Sequence, residues 1–182
     1  EPFAQPGPGI VYVNEAFTRM TGYTSEEVIG KNPRILQGPK TDRQELDRLK
    51  QALEEWRSCE VTLVNYKKNG EEFWTNFSVS PVADSKGWFT HWISIQRDVT
   101  AQKREEQKRE LEAQIMQIFG EEQRFGFALE RSLQKLIEFS ELDGGEVWLV
   151  NADRTKVNLV SRYARTEQAK KFVDLAKDIV SF

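Results

Sequence analysis

Cysteine occurs once in the 182 residues, at Cys59, and histidine once, at His91. A lone thiol excludes an internal disulfide and any zinc cluster built on cysteines. With the single imidazole far from it in sequence, no nucleophile and base can be paired, so no catalytic constellation is expected. Long apolar runs are also missing: none approaches the ~20 residues that a bilayer-spanning helix requires, and no signal-peptide pattern opens the chain. Positive charge is not in excess, because 26 Lys and Arg stand against 29 Asp and Glu, a formal charge of −3. That balance gives no broad attraction to nucleic acid or to an anionic membrane. "GGEVW" lacks the spacing and the lysine of a phosphate loop. The expectation is a cytoplasmic segment that is not itself an enzyme, without metal, membrane contact or nucleic-acid partner.

What is present is a chain 38% hydrophobic and 30% charged, enough for one complete domain and part of a second. Residues 10 to 98 alternate strand signals with short capped helices. "IVYV" (Ile10 to Val13) reads as a strand, and Asn14 caps a helix that turns Phe17 and Met20 inward. "TSEE" is a capping box from Thr24 to Glu27. "TDRQ" repeats the device, with Thr41 as the expected cap and Leu46, Leu49 and Leu53 as one apolar stripe.

The period then changes from helical to alternating. "CEVTLVNY" places Cys59, Val61, Leu63 and Asn65 on one face. Asn69-Gly70 is a hairpin signal, and "FWTNFSVSPV" places Phe73, Thr75, Phe77 and Val79 on one face with Trp74, Asn76 and Ser78 opposite. "WFTHWISIQRDVT" puts Trp92, Ser94 and Gln96 together, away from Ile93 and Ile95. His91 has the opposite parity to Gln96 and reads as a satisfied sheet histidine rather than a haem ligand. Trp74, Trp88 and Trp92 read as core or interface anchors. An antiparallel sheet with helices on one face and a partner on its back accounts for the pattern.

Residues 99 to 120 form a charged helical linker in which Leu111, Ile115 and Ile118 mark either a short coiled-coil seam or one side of a solvated helix. Gly120 and Gly126 are expected to bend or end it. Residues 121 to 182 restart a globular pattern. One helix carries Phe125, Leu129, Leu133, Leu136 and Ile137, two strands follow around "NADRT", and a last helix groups Phe172, Leu175 and Ile179. Two strands and two helices make a thin core for ~60 residues, so a truncated domain is expected.

Four ordered blocks, "YVNEAFTRMTGY", "EEVIGKNPRILQGPKTD", "LVNYKKNGEEFWTNFSVSPV" and "HWISIQRDVT", resemble a PAS domain of the flavin-binding light-oxygen-voltage branch. The resemblance implies an α+β PAS fold over residues 1–98, an antiparallel sheet with short helices on one face, whose first strand the chain is expected to lack. A linker α-helix (99–120) and a partial GAF-like α+β domain (121–182) are expected to follow. "DVT" (Asp98 to Thr100) resembles the hinge that joins PAS domains to an output helix.

By the same resemblance, Asn32 and Gln37 correspond to residues that hold a flavin's side chain, Arg34 to one that holds its phosphate, and Lys50 to a second phosphate-binding arginine. Asn65 and Gln96 correspond to amides that read the polar edge of the isoalloxazine ring. Thr75 stands where the family has a further asparagine, and Asn76, of opposite parity, cannot replace it without a bulge. Pro33 stands where light-sensing members carry the reactive cysteine. Cys59 lies six residues from Asn65, roughly 20 Å along a strand, too far to substitute.

Two accounts of these residues compete. The one adopted from sequence is a ligand-free signal relay: no cofactor, a homodimer through linker helix and PAS sheet, and a kinase or cyclase output domain in the same chain, most simply a sensor histidine kinase. The alternative is a noncovalent flavin sensor binding FMN or FAD without adduct photochemistry, or the sensory part of a diguanylate cyclase.

Overall fold

The computed structural model describes residues 7–175. The chain divides into two compact units, Glu1–Arg104 and Glu105–Phe182.

The first unit opens with three short helical segments, each started by a side-chain cap. Asn14 Oδ1 accepts from Phe17 N at 3.0 Å and starts α1 (Glu15–Thr21), which ends at Gly22 in the left-handed region, φ 77°. The Thr24 amide donates to Glu27 Oε2 at 2.9 Å across the first turn of α2 (Ser25–Val28). Asn32 then caps a 3₁₀ turn, Pro33–Leu36, accepting from Arg34 N at 3.0 Å, with proline at the first position where its missing N–H costs nothing.

The helix α3 (Arg43–Glu54) departs from the sequence reading. Its cap is Asp42, whose Oδ1 accepts from Gln44 N and Glu45 N. Thr41 is buried, and its hydroxyl donates to Val64 O at 2.7 Å while accepting from Gly38 N at 2.9 Å. A hydroxyl that can reach a carbonyl on a neighbouring strand ties the loop to the sheet, leaving the adjacent carboxylate to cap. Thr41→Val is expected to cost about 1–2 kcal/mol, because a buried carbonyl and amide both lose a partner. Urea denaturation of the variant checks it.

Three antiparallel strands, β1 (Cys59–Tyr66), β2 (Glu72–Ala83) and β3 (Phe89–Asp98), form a sheet in the order β1-β2-β3. Ile10–Val13 is not a strand. Ile10 exchanges two backbone bonds with Gly30 and Lys31, and Val11 and Tyr12 stay exposed. Its β-branched residues favour extension, but a strand needs a ladder as well. Across β1 and β2 the register is unbroken, pairing Leu63 with Thr75 and Asn65 with Phe73, and Phe77 faces Gln96 on β3. Val61, Leu63, Asn65, Phe73, Thr75 and Val79 therefore share one buried face. Val28, Leu36 and Ala52, from the helical segments, are buried too. On the outer face Ile93 and Ile95 are exposed.

The sheet has one irregularity, and it re-aims a side chain. The register shifts between Val82 and Ala83, which pair with His91 and Phe89, so Thr90 is left over as a bulge. Phe89 and Trp92 both stack on Trp56, centroids 5.3 and 5.0 Å apart. Trp56 follows α3 with φ 52°, an unusual conformation for a bulky residue. Trp92 is thus an anchor, as expected, whereas Trp88 is exposed.

The helix α4 (Thr100–Glu121) begins in the first unit and continues into the second, where α5 (Phe125–Phe139), β4 (Gly144–Val150), β5 (Val157–Ala164) and α6 (Glu167–Leu175) follow. Leu111 and Ile118, expected at a seam or on one side of a solvated helix, are only 7% and 6% exposed within the single chain. Gly120 lies inside α4 and Gly126 inside α5; the break falls at 122–124, where Glu122 Oε1 accepts from Arg124 N. On α5 the buried residues are Ala128, Ser132, Leu133 and Ile137, while Phe125 and Leu136 are exposed, contrary to the expected stripe. β4 and β5 are antiparallel. A Cβ on Gly145 would meet Ile137 Cδ1 at 3.0 Å, so glycine lets the strand lie close against α5. Of the last helix, Ile179 falls outside the described residues.

Candidate functional site

The inner face of the sheet carries three polar side chains among apolar ones. Asn65 opposes Phe73, and Thr75 opposes Leu63; Gln96 opposes Phe77. Each is thus offset by two residues from its neighbour, so the three run diagonally across β1, β2 and β3, within reach of one another's flanks. Thr75 is 0% exposed and Asn65 5%. Thr75 Oγ1 and Gln96 Oε1 are buried without a hydrogen-bond partner. Trp92 Nε1, at the parity of Gln96 on β3, is likewise buried without a partner, and each such atom costs free energy unless a water or a ligand meets it.

The parity argument holds in detail. Asn76 points to the other face and donates to Glu60 Oε1 and Thr62 Oγ1, both at 2.9 Å, so it cannot serve the row. That outer face also carries a polar cleft lined by Thr62, Asn76, Arg97, Val99, Gln102 and Lys103. His91 is exposed beside Thr90, with Nδ1 2.9 Å from its hydroxyl.

The other expected residues are distributed along the 3₁₀ turn and α3. Asn32 and Gln37 are its two caps, both half-buried, while Pro33 and Arg34 between them are exposed. Lys50 is exposed on α3 with Nζ 3.8 Å from Glu54 Oε1, an ordinary i,i+4 pair. Cys59 begins β1, where Sγ lies 3.5 Å from Arg48 Nη1. Among the described residues there is no group of three or more His, Cys, Asp and Glu that could hold a metal ion. No helix of the described residues is long and apolar enough to cross a membrane.

Two features that position the site were not read from sequence. Gly38 lies so close to Tyr66 that a Cβ there would sit 2.2 Å from the ring. Tyr66 Oη accepts from Lys40 N at 3.0 Å, which fixes the loop after Gln37 to the sheet. The Lys68 ammonium, bonded to Glu27, and then the Thr24 amide hold the Glu27 carboxyl below its usual range, joining α2 to the β1–β2 turn.

The strand leading out of the sheet continues into α4 without a gap in its bonding. Thr75 opposes Asp98, Val99 N donates to Trp74 O at 2.9 Å, and Trp74 N donates to Thr100 Oγ1 at 2.9 Å. Asp98 Oδ1 accepts from Thr100 N at 2.9 Å. The "DVT" stretch is therefore the junction where a ladder bond is handed from backbone to side chain.

A three-stranded antiparallel sheet with short helical segments over one face is an α+β arrangement. The PAS domain family pattern matches residues 3–101, and the chain belongs to that family. It is a PAS domain of the light-oxygen-voltage type. The blue-light-activated histidine kinase of Brucella anthropi is 46% identical over 95 residues, covering 52% of this chain and 19% of that protein. The structure of an RNA-binding light-oxygen-voltage receptor is 33% identical with a TM-score of 0.56, covering 64% of this chain and 33% of that one. A light-oxygen-voltage domain whose mechanism was probed with a flavin analogue is 31% identical with a TM-score of 0.52, covering 60% and 81%. The chain spans between a tenth and a fifth of the length of the curated relatives it matches.

These relatives overturn the expectation that the PAS core holds no cofactor: one is blue-light-activated and another was studied through a flavin analogue.

Proposed function

We propose that the first unit is a noncovalent flavin sensor, holding the polar edge of an isoalloxazine ring against Asn65, Thr75 and Gln96. The observation that carries this is the pair of buried, unpartnered atoms on Thr75 and Gln96, which lie in one diagonal row with Asn65. Gln96 Oε1 needs a donor and the Thr75 hydroxyl takes either role, which suits a ring edge of alternating carbonyl and N–H groups. Asn32 and Gln37 would hold the ligand's side chain from the 3₁₀ turn, with Arg34 and Lys50 as the cations for a phosphate. A bound flavin supplies blue-light absorption and one-electron chemistry. Pro33 brings no thiol to that site and Cys59 is too distant, so no cysteine adduct forms.

The chain's own contribution to signalling is mechanical. Gln96 lies two residues before Asp98, and Thr75 directly opposes it, so a changed bond at the row bears on the junction that feeds α4. Residues 99–120 then act as a linker and 121–182 as the opening of a GAF domain. The whole protein is a cytoplasmic sensor histidine kinase, a reading supported by the kinase relatives; none of them favours a cyclase output. Of the two dimer contacts expected, Leu111 and Ile118 are buried within the chain while Ile93 and Ile95 remain exposed, which supports the sheet face as the dimer contact.

The deciding experiment is an absorbance spectrum of the purified protein after incubation with riboflavin, FMN or FAD and removal of the unbound fraction, with light-scattering mass measured on the same sample. A retained, structured flavin band that blue light does not convert to a thiol adduct is expected. A colourless protein after all three incubations overturns the flavin reading, and a monomer at every concentration overturns the dimer contact.

A further inference from the structure

The outer face of the sheet has a polar row of its own, in straight register. Thr62 on β1 opposes Asn76 on β2, and Asn76 opposes Arg97 on β3. Val99 and the first turn of α4, through Gln102 and Lys103, close this row into a cleft of about 290 Å³. Lys103 Nζ lies 6.0 Å from the ring centre of Trp74, two residues from Asn76 and on the same strand face, so the ammonium reaches back over the sheet. All of the lining precedes Glu105 and belongs to the first unit.

Arg97 and Lys103 are the only charged groups in that lining, and Arg97 pairs with no carboxylate among the described residues. Glu60 does not line the cleft, and Asp98 has the opposite parity on β3, with its Oδ1 accepting from Thr100 N. Asn76 uses its amide nitrogen on Glu60 and Thr62, so it offers the cleft an acceptor, Oδ1. The Thr62 hydroxyl accepts from Asn76 and keeps its own hydrogen to donate. Two cations, a donor hydroxyl and one acceptor suit a phosphate dianion, whose oxygens a guanidinium fork takes in pairs and whose charge an ammonium completes. The volume is about ten times the ~30 Å³ share of one water, which leaves room for an organic group of a few carbons beside the phosphate.

We propose that this outer cleft binds a small phosphate monoester between Arg97 and Lys103, and that the bound ligand ties the first turn of α4 to β3. The cleft lies on the face of the sheet opposite Asn65, Thr75 and Gln96, so the proposal does not rest on the flavin reading. Arg97 is in the strand and Lys103 in the helix that follows it, so a dianion held by both bridges the junction at Asp98 to Thr100.

Calorimetric titration of the whole chain with glycerol 3-phosphate and, separately, with inorganic phosphate tests the site, at constant ionic strength so that screening is equal in both arms. Saturable binding is expected, tighter for glycerol 3-phosphate; equal affinities would make free phosphate the source of the same dianion. Arg97→Gln should raise Kd about tenfold or more, the loss of a charge-assisted pair. Lys86→Gln removes the same charge from the exposed turn between β2 and β3 and should leave Kd within about twofold. With ligand at about ten times Kd, hydrogen exchange of the amides in the first turn of α4 should slow by up to about tenfold. Absence of saturable binding by either probe overturns the site, as does equal weakening by Arg97→Gln and Lys86→Gln, which net charge alone produces. Weakening by Arg34→Gln in place of Arg97→Gln puts the phosphate at the 3₁₀ turn and overturns it too. Binding that leaves exchange in α4 unchanged overturns the tie between helix and strand.

Discussion

Replacing Phe73 with alanine is expected to lower the unfolding free energy of the first unit by about 3–5 kcal/mol. Phe73 is 1% exposed, among the largest side chains fully enclosed in the chain. It sits opposite Asn65 and beside Thr75 on the same strand face, with Lys67 Nζ 6.0 Å from its ring centre. Truncation removes the buried area of an aromatic ring and leaves a cavity that a strand paired on both sides cannot collapse into. Urea denaturation followed by circular dichroism reads the loss as a lower midpoint with an unchanged slope. Phe73→Leu should keep more than half of the stability difference. If Phe73→Ala shifts the midpoint no more than Thr41→Val does, the inner face is not the core.

Gly38→Ala should cost about 1–3 kcal/mol by overpacking, because the new Cβ would fall 2.2, 2.4 and 2.8 Å from three atoms of the Tyr66 ring. A free surface ring would swing aside. Tyr66 is held, however, by Lys40 N at 3.0 Å and by its own bond to Glu72 Oε1 at 3.3 Å. Moving it breaks the tie between the loop after Gln37 and the sheet, so flavin retention should fall with stability. The cycle with Tyr66→Ala separates the causes: in that background Gly38→Ala should cost almost nothing, a coupling that independent sites do not show. Additive losses would mean that the glycine is needed for its backbone and not for the space.

Much of the site was legible because a strand has a period of two and no tolerance for error. Once β1 and β2 were placed and joined through Asn69-Gly70, the inward direction of Asn65 and Thr75 followed, as did the exclusion of Asn76, and the alternation of β3 gave that of Gln96. The caps at Asn14 and Asn32 were equally readable, since each involves only neighbours in sequence. What was not legible depends on partners far away. Thr41 was assigned to a helix end because its bond to Val64, 23 positions on, leaves no local trace. The bulge at Thr90 shifts Phe89 out of simple alternation, and no residue there announces it. Leu111, Ile115 and Ile118 were read as either a short seam or one side of a solvated helix, whereas burial of Leu111 and Ile118 within one chain gives the same spacing. The cofactor was misjudged for a different reason. The sequence showed the missing amide at Thr75, but the partnerless hydroxyl becomes visible only in three dimensions.

The stack of Trp56 on Trp92 also gives the first unit an optical handle. Two indoles 5.0 Å apart and 10° from parallel lie close enough for their strong far-ultraviolet transitions to couple, so the pair should add to the far-ultraviolet circular dichroism a signal that replacing either indole with phenylalanine removes. Trp56 follows α3 and Trp92 belongs to β3, so the amplitude of that signal reports whether the end of the helix and the strand remain in contact. Trp88, exposed, would add a separate emission that follows the solvent. The protein thus carries an internal gauge of its own tertiary contact, readable without any label and in the absence of a chromophore.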